Sequence, residues 1–246
     1  MNIVFRTDAS FEIGTGHVSR CLALARALRE AGASCRFITR ALTGHMERRI
    51  AEEGFSAALL PRPPAQGVDG PPPHARWAEV DWAQDARQTH AVLEMSKPDW
   101  LIVDHYAFDD RWQRAARPVG IRLMVIDDLA DRPHDCDLLL DQNLGRTECD
   151  YEGLVPGYCR RLIGPSYALL RPEFAAAREA SLAGRRGRGL RHLLISMGGV
   201  DTVDATSDVL SALRTASLPK GLRITVIMGS AAPALERVRE LARHMP

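Results

Sequence analysis

The first 150 or so residues repeat one pattern: an apolar run of strand length, a polar turn, and a segment whose apolar residues have helical spacing. The strand-like runs are residues 2–7, 34–39, 55–60, 99–103, 121–126 and 136–140, and the helical segments include 18–30, 44–53 and 77–95. Continuous apolar runs between polar turns are typical of buried parallel strands. The alternation therefore predicts an α/β fold whose first domain is Rossmann-like.

The pattern is interrupted at residues 181–189, SLAGRRGRG, which are basic and have no periodicity. We expect a linker there, although its arginines could instead contact phosphate. The pattern then restarts as strand 191–196, turn 197–201, helix 203–216, strand 222–228 and helix 232–244. The sequence thus predicts an N-terminal Rossmann-like domain at 1–180 and a C-terminal nucleotide-binding domain at 190–246. A doubly wound domain usually needs a longer chain, so this second domain is expected to be truncated, with completion by another chain as the alternative.

Charge and composition exclude several classes of partner. The net charge is +1 and the acids and bases are interspersed, which gives no electrostatic case for binding nucleic acid or an anionic membrane. The N-terminal residues do not resemble a signal peptide and no run approaches a membrane span, so we expect a cytoplasmic protein. The 5 cysteines have no C-x-x-C pair, which favours reduced thiols and no metal site. The oligomeric state cannot be read from the sequence.

The turn after the first strand has features of a phosphate-binding element. Gly14 and Gly16 permit a close approach of a ligand to the backbone, and the helix that follows presents free N–H groups at its positive end. The third glycine position of the dinucleotide fingerprint holds Ser19, and the second strand is not followed by an acidic residue. The turn therefore favours a phosphate ligand but not NAD.

His17 makes this turn a candidate for catalysis as well as for binding. The first turn of a helix disfavours an imidazolium, so the ring is expected to stay neutral and able to accept a proton. Asp8 and Glu12 lie in the same loop and could orient the ring, or they could simply be solvated. A purely structural role for His17 in the turn remains the alternative.

A second group of polar residues, Asp104, His105 and Tyr106, follows a buried strand directly. Ligands of open α/β sheets bind at the carboxyl ends of the strands, so we expect these side chains at the site. An ordinary polar loop is the alternative. The pair Asp127–Asp128 follows the next strand and carries the same interpretation less specifically.

A third candidate is the turn of the second domain, which contains Met197, Gly198, Gly199 and Asp201. Tandem glycines before a helix suit phosphate binding, although a tight turn without a ligand has the same composition. With one such turn in each half, the sequence predicts a ligand that bridges a cleft between two domains.

Taken together in order, these segments resemble a known family. The segments are GTGHVSR at 14–20, VDHY at 103–106, DYEGLVP at 150–156, GPSYALLRPEF at 164–174 and SMGGVD at 196–201. The sequence is similar, from residue 1 to about residue 230, to the UDP-2,4-diacetamido-2,4,6-trideoxy-β-L-altropyranose hydrolases of pseudaminic acid biosynthesis. Spore-coat polysaccharide proteins and the peptidoglycan N-acetylglucosaminyltransferase are more distant relatives of that family.

The resemblance implies a GT-B-type fold with two Rossmann-like domains and a UDP-activated diacetamido-trideoxy sugar as the partner. It implies that His17 activates water, with Tyr106 and Asp104 as the other catalytic residues. The residues expected to bind the substrate are Gly14, Gly16, Arg20, Asp8, His105, Met197, Gly198, Gly199 and Asp201.

The implied reaction is attack of water at the anomeric carbon with inversion and release of UDP. Because UDP leaves as a stable anion, one base suffices, and neither a metal nor a cofactor is expected. Two alternatives remain open: a UDP-sugar-dependent glycosyltransferase of the same fold, and a non-catalytic module that binds a sugar nucleotide.

Overall fold

The computed structural model describes residues 1–62, 68, 70–229, 232–243 and 245. The chain divides into two compact units, Met1–Arg171 and Pro172–Pro246. Residue 244 of the predicted helix 232–244 lies outside the described residues.

Within its described residues, the first unit contains a parallel sheet of seven strands. The strands are β1 (Asn2–Thr7), β2 (Ser34–Arg40), β3 (Ser56–Leu60), β4 (Trp100–Asp104), β5 (Arg122–Ile126), β6 (Leu138–Asp141) and β7 (Arg160–Ile163). Their order is β3-β2-β1-β4-β5-β6-β7. The order reverses direction between β1 and β4, which is the topological switch point where open α/β sheets bind ligands.

Helices cover both faces of this sheet. They are α1 (Gly16–Glu30), α2 (Glu47–Glu52), α3 (Trp82–Ser96) and α4 (Asp110–Ala116), with short 3-10 helices at Ala75–Ala78, Glu148–Tyr151 and Pro165–Tyr167. Successive residues of β1 enter different cores: Ile3 packs in the core that contains Val18 of α1, and Val4 in the core that contains Leu93 of α3 and Trp112 of α4. Burial on both faces explains why the strands are continuously apolar.

The second unit is smaller. It contains α5 (Pro172–Arg185), β8 (His192–Ile195), α6 (Ala205–Thr215), β9 (Arg223–Val226) and α7 (Leu235–Arg243). The strands β8 and β9 pair in parallel, and Ile195, Leu210 and Val238 form the buried core beneath them. None of the residues of α5 is buried.

The predicted α/β class is confirmed, and two local predictions are wrong. Residues 77–95 are not one helix: Glu79 takes a left-handed conformation with φ of 52° and interrupts the chain between the 3-10 helix and α3. Residues 181–185 belong to α5, so the predicted linker begins as helix. The separate functional roles that the sequence assigns to the two domains stay a prediction.

The structure also describes the state of the cysteines and the character of the helices. All 5 cysteines are free, and each of them except Cys149 is buried. No helix among the described residues has both the length and the apolar character that crossing a bilayer requires.

Candidate active site

The polar residues of the first unit gather at the carboxyl edge of the sheet, at the switch point. Thr7, the last residue of β1, is paired in register with Asp104, the last residue of β4. Helix α1 begins at Gly16, shortly after β1 ends, so its first turn lies against the end of β4. This arrangement brings residues 87 positions apart in the sequence into contact.

His17 and Asp104 form the central contact of the site. The Nδ1 atom of His17 lies 2.5 Å from Oδ1 of Asp104, and the histidine is 7% exposed. An ionised carboxylate can only accept a hydrogen bond, so Nδ1 carries a proton, and the lone pair of the neutral ring lies on Nε2. A carboxylate that fixes the tautomer of a histidine in this way prepares the ring to act as a general base.

Arg20, one turn further along α1, holds Asp104 from the other side. Its Nε and Nη2 atoms donate to Oδ2 and Oδ1 of Asp104 at 2.6 and 2.7 Å. Burial raises the pKa of Asp104, but the charges and hydrogen bonds of His17 and Arg20 outweigh it and hold that pKa below the ordinary carboxyl range. Asp104 is therefore ionised wherever the protein is folded at moderate pH.

Asp128, at the end of β5, extends this network. Its Oδ2 atom accepts from Nη1 of Arg20 and from the hydroxyl of Tyr106, both at 2.5 Å, and its Oδ1 atom accepts from Nδ2 of Asn143 at 3.3 Å. Burial and the neighbouring Asp128 raise the pKa of Tyr106, so the phenol keeps its proton. The four side chains of His17, Asp104, Arg20 and Asp128 form one continuous cluster, which we call the dyad cluster.

Aromatic rings border the dyad cluster. The ring of Tyr106 meets that of His17 edge-on with a centroid distance of 4.5 Å, and Trp77 stacks on Tyr106 at 5.4 Å. His74 lies 4.7 Å from Trp77 and 5.6 Å from Tyr106, measured between ring centroids. Trp77 and His74 are half-buried, so apolar ring surface stands beside the base.

Asp8 and His105, both expected to bind substrate, are instead buried in a separate ionic cluster. Asp8 accepts from Nη1 of Arg6 at 2.6 Å, and Nε2 of His105 lies 3.3 Å from Oδ2 of Asp8. Nδ1 of His105 accepts from the backbone N–H of Ala107, and burial lowers the pKa of His105, so the ring is neutral. His105 is only 2% exposed and Asp8 is completely buried, and the expectation that they bind substrate stays a prediction.

Neither acidic residue of the first loop orients His17, so the first of the two alternatives for Asp8 and Glu12 is wrong. Asp8 is engaged by Arg6, and Oε1 of Glu12 accepts from Nε of Arg76 at 2.8 Å. Asp104 takes the orienting role, because only the register of β1 and β4 brings it next to α1.

The start of α1 has the features that the sequence predicts for an anion-binding site. Gly14 has a φ of +79°, which favours glycine in the turn, while a Cβ on Gly16 would meet nothing within 4 Å. Thr15, the N-cap residue, makes no side-chain capping bond, whereas Asp81 caps α3. Among the described residues, the first N–H groups of α1 are thus left for a ligand or solvent.

The glycine turn of the second unit is only partly available. Met197 is 42% exposed, and Gly198 and Gly199 are exposed as well, with a φ of +84° at Gly198. The carboxylate of Asp201, however, accepts from the backbone N–H groups of Ala205 and Thr206 at 3.0 and 2.9 Å. Asp201 therefore caps α6, and the expectation that it binds substrate has a structural alternative. The bridging of both turns by one ligand stays a prediction.

Some site residues have little or no signal in the sequence. Asp128 was a weak candidate from its position after a strand, but its contacts with Tyr106 and Arg20 have no sequence signal. Trp77 lies in the 3-10 helix Ala75–Ala78 and His74 directly precedes it, and no sequence periodicity connects this segment to the site. No group of three or more His, Cys, Asp or Glu side chains in the described part of the chain has the arrangement of a metal site.

No protein-family model matches the sequence. It is 28% identical, over 99% of its length, to the UDP-2,4-diacetamido-2,4,6-trideoxy-beta-L-altropyranose hydrolase of Campylobacter jejuni. The predicted resemblance is confirmed. A further relative is the spore coat polysaccharide biosynthesis protein SpsG of Bacillus subtilis, with 34% identity over 37% of this chain.

Solved structures give the fold. MurG of Acinetobacter baumannii matches 100% of this chain with a TM-score of 0.59 and 14% sequence identity. This likeness confirms the predicted GT-B-type fold. The chain spans 75% of the length of the Campylobacter hydrolase, 26% of SpsG and 65% of the MurG chain.

Proposed function

We propose that this chain acts in the hydrolysis of a UDP-activated 2,4-diacetamido-2,4,6-trideoxy sugar, with His17 as the base that activates water. The observation that carries the proposal is the 2.5 Å contact between His17 and Asp104, beside the start of α1, whose N-cap residue makes no side-chain capping bond. The similarity to the Campylobacter hydrolase supports the choice of substrate class.

The proposed step uses Nε2 of His17. A water oxygen attacks the anomeric carbon while Nε2 takes a proton from that water, and the bond between this carbon and the diphosphate oxygen breaks. The electron pair of the broken bond stays on the diphosphate, so UDP leaves as an anion. Asp104 stabilises the imidazolium as it forms, and backbone N–H groups of the helix N-terminus suit the charge that develops on the leaving group.

The experiment is hydrolysis of UDP-2,4-diacetamido-2,4,6-trideoxy-β-L-altropyranose by the full chain in ¹⁸O-labelled water without any acceptor alcohol. We expect equimolar UDP and free sugar, an inverted anomer at early times by proton NMR, and the label in the sugar. Label in the UDP phosphate would show attack at phosphorus and overturn the proposed role of the anomeric carbon.

The same assay separates the two alternatives. Release of UDP only after an acceptor alcohol is added would identify a glycosyltransferase. Binding of UDP by calorimetry with no turnover under either condition would identify a non-catalytic module. His45→Asn is the matched control for every histidine variant, because the hydrogen bond that the His45 side chain makes among the described residues is a local one, accepted from the backbone N–H of Glu47.

A further inference from the structure

The hydroxyl of Tyr106 has a defined hydrogen-bond polarity. It lies 2.5 Å from Oδ2 of Asp128, and an ionised carboxylate can only accept. The single phenolic proton is therefore directed at Asp128. The Tyr106 oxygen keeps its lone pairs, and no other donor of the described residues forms a hydrogen bond with it.

Asp128 is itself held on both oxygens, so this polarity is fixed. Arg20 donates to Oδ2 at 2.5 Å and Asn143 donates to Oδ1 at 3.3 Å. The side chain of Asp128 is 15% exposed and forms an ion pair with Arg20. Rotation of the carboxylate would break one of these contacts.

The ring that carries the Tyr106 acceptor oxygen lies next to His17, the proposed base. The Tyr106 ring contacts the His17 ring at a centroid distance of 4.5 Å, and it is half-buried. A ligand group that reaches the Tyr106 oxygen must bring its own proton, because a second acceptor there would be desolvated without a partner.

From this geometry we infer that Asp128 is a positioning residue: it directs the proton of Tyr106 away from the substrate and so makes the Tyr106 hydroxyl an acceptor that selects a sugar with an N–H or O–H donor. The inference rests on the proposed function, in which an acetamido N–H of the sugar is a donor of this kind. It assigns Asp128 an effect on substrate selection that passes through Tyr106.

A double-mutant cycle tests the inference, with KM for UDP-2,4-diacetamido-2,4,6-trideoxy-β-L-altropyranose as the readout. Tyr106→Phe removes the acceptor but keeps the ring, and we expect KM to rise about tenfold while kcat changes far less. Asp128→Asn should raise KM by a similar factor. Because both changes disable one contact, the double variant should stay near tenfold instead of approaching about a hundredfold. Additive effects would overturn the inference.

The control is Asp110→Asn, which removes a carboxylate that pairs with Arg114 on α4 and contacts none of the dyad cluster. We expect it to leave KM unchanged. Should Asp128→Asn fail to fold, as judged by far-ultraviolet circular dichroism, Asp128→Ser takes its place in the same cycle.

A readout that does not need turnover separates this inference from the proposed function. Trp77 stacks on Tyr106, so the pair contributes to the near-ultraviolet circular dichroism, and Trp77→Phe identifies that contribution. Asp128→Asn should reduce the same contribution, whereas Asp110→Asn should not. An unchanged spectrum in Asp128→Asn would overturn the positioning role, whether or not the wild-type chain hydrolyses the sugar nucleotide.

Discussion

Asp104 contacts two side chains of α1, those of His17 and Arg20, so a change at Asp104 affects both. One of its oxygens contacts Nδ1 of His17 and both contact the guanidinium of Arg20. The carboxylate is completely buried, so neither contact is weakened by solvent. A change at Asp104 therefore alters the tautomer of the base and the anchoring of Arg20 together.

The His17→Asn variant tests the base directly. We expect kcat to fall by about 10²–10⁴, the range typical of a lost general base, with the affinity for UDP little changed. Steady-state release of UDP and calorimetric binding of UDP measure the two quantities. His45→Asn should match the wild type in both. A nearly normal kcat for His17→Asn would refute the assignment.

Asp104 also makes stability depend on pH. Its pKa is depressed in the folded state, so its stabilising contribution is complete above the ordinary carboxyl pKa of about 3.9 and declines as the pH falls below it. We expect the difference in unfolding free energy between the wild type and Asp104→Asn to be about 3–5 kcal/mol near neutral pH and to shrink in acid. Urea unfolding at several pH values measures it.

The variant Asp110→Asn is the reference for that experiment. Arg114, which pairs with Asp110, has a largely exposed side chain, so this ion pair should contribute at most about 1 kcal/mol to the free energy of unfolding. If the difference between the wild type and Asp104→Asn were the same at every pH, the ionised state of Asp104 would not be the source of its stability.

At the scale of elements, the start of α3 is closed by a side chain and the start of α1 is left open. Asp81 accepts from the backbone N–H groups of Ala83 and Gln84 at the start of α3, whereas Thr15 makes no such bond at the start of α1. A closed start adds stability, and an open one leaves N–H donors for an anion.

This contrast predicts unequal costs for two similar substitutions. Asp81→Ala should lower the free energy of unfolding by about 1 kcal/mol, because two N–H groups lose their acceptor. Thr15→Ala should change it much less, because no side-chain cap is lost. Thermal and chemical unfolding of the two variants make the comparison, and equal losses would contradict the description of α1 as open.

Sequence patterns predicted many of the elements that carry buried apolar residues. The strand at residues 2–7 coincides with β1, in which Ile3, Val4 and Phe5 are buried and apolar. Helix α4 was missed although Trp112 is buried, because its 7 residues make only about two helical turns and show little periodicity. Helix α5 and strand β7 were missed as well; α5 has no buried residue, and β7 is exposed at its first residue and half-buried after it.

The site, too, is predicted only in part. Strand ends and turn composition identify His17, Asp104 and Tyr106 as candidates. Their contact with Asp128 does not, because hydrogen bonds between the ends of separate strands depend on the strand order and leave no local pattern.

At the scale of the whole molecule, the chain between the two sheets is accessible to solvent over a long described stretch. Helix α5 has no buried residue, and the segment after it, which contains Arg186, Arg188 and Arg191, is exposed as well. Exposed backbone with few packing contacts is cut first by proteases.

Limited digestion with trypsin should therefore cleave first after an arginine in residues 178–191 and leave an N-terminal fragment that retains the seven-stranded sheet. Mass spectrometry of early digests identifies the cut. Initial cleavage within residues 1–171 would show that the first unit is less compact than its packing indicates.

The composition of the dyad cluster has a consequence for the energetics of proton transfer. Asp104 and Asp128 together carry one negative charge more than Arg20 can balance while His17 is neutral. When His17 takes a proton from water, that excess disappears, so the proton completes the charge balance of a buried site instead of disturbing it. The dyad cluster is thus electrically neutral at the moment when the attacking water has become a hydroxide-like nucleophile.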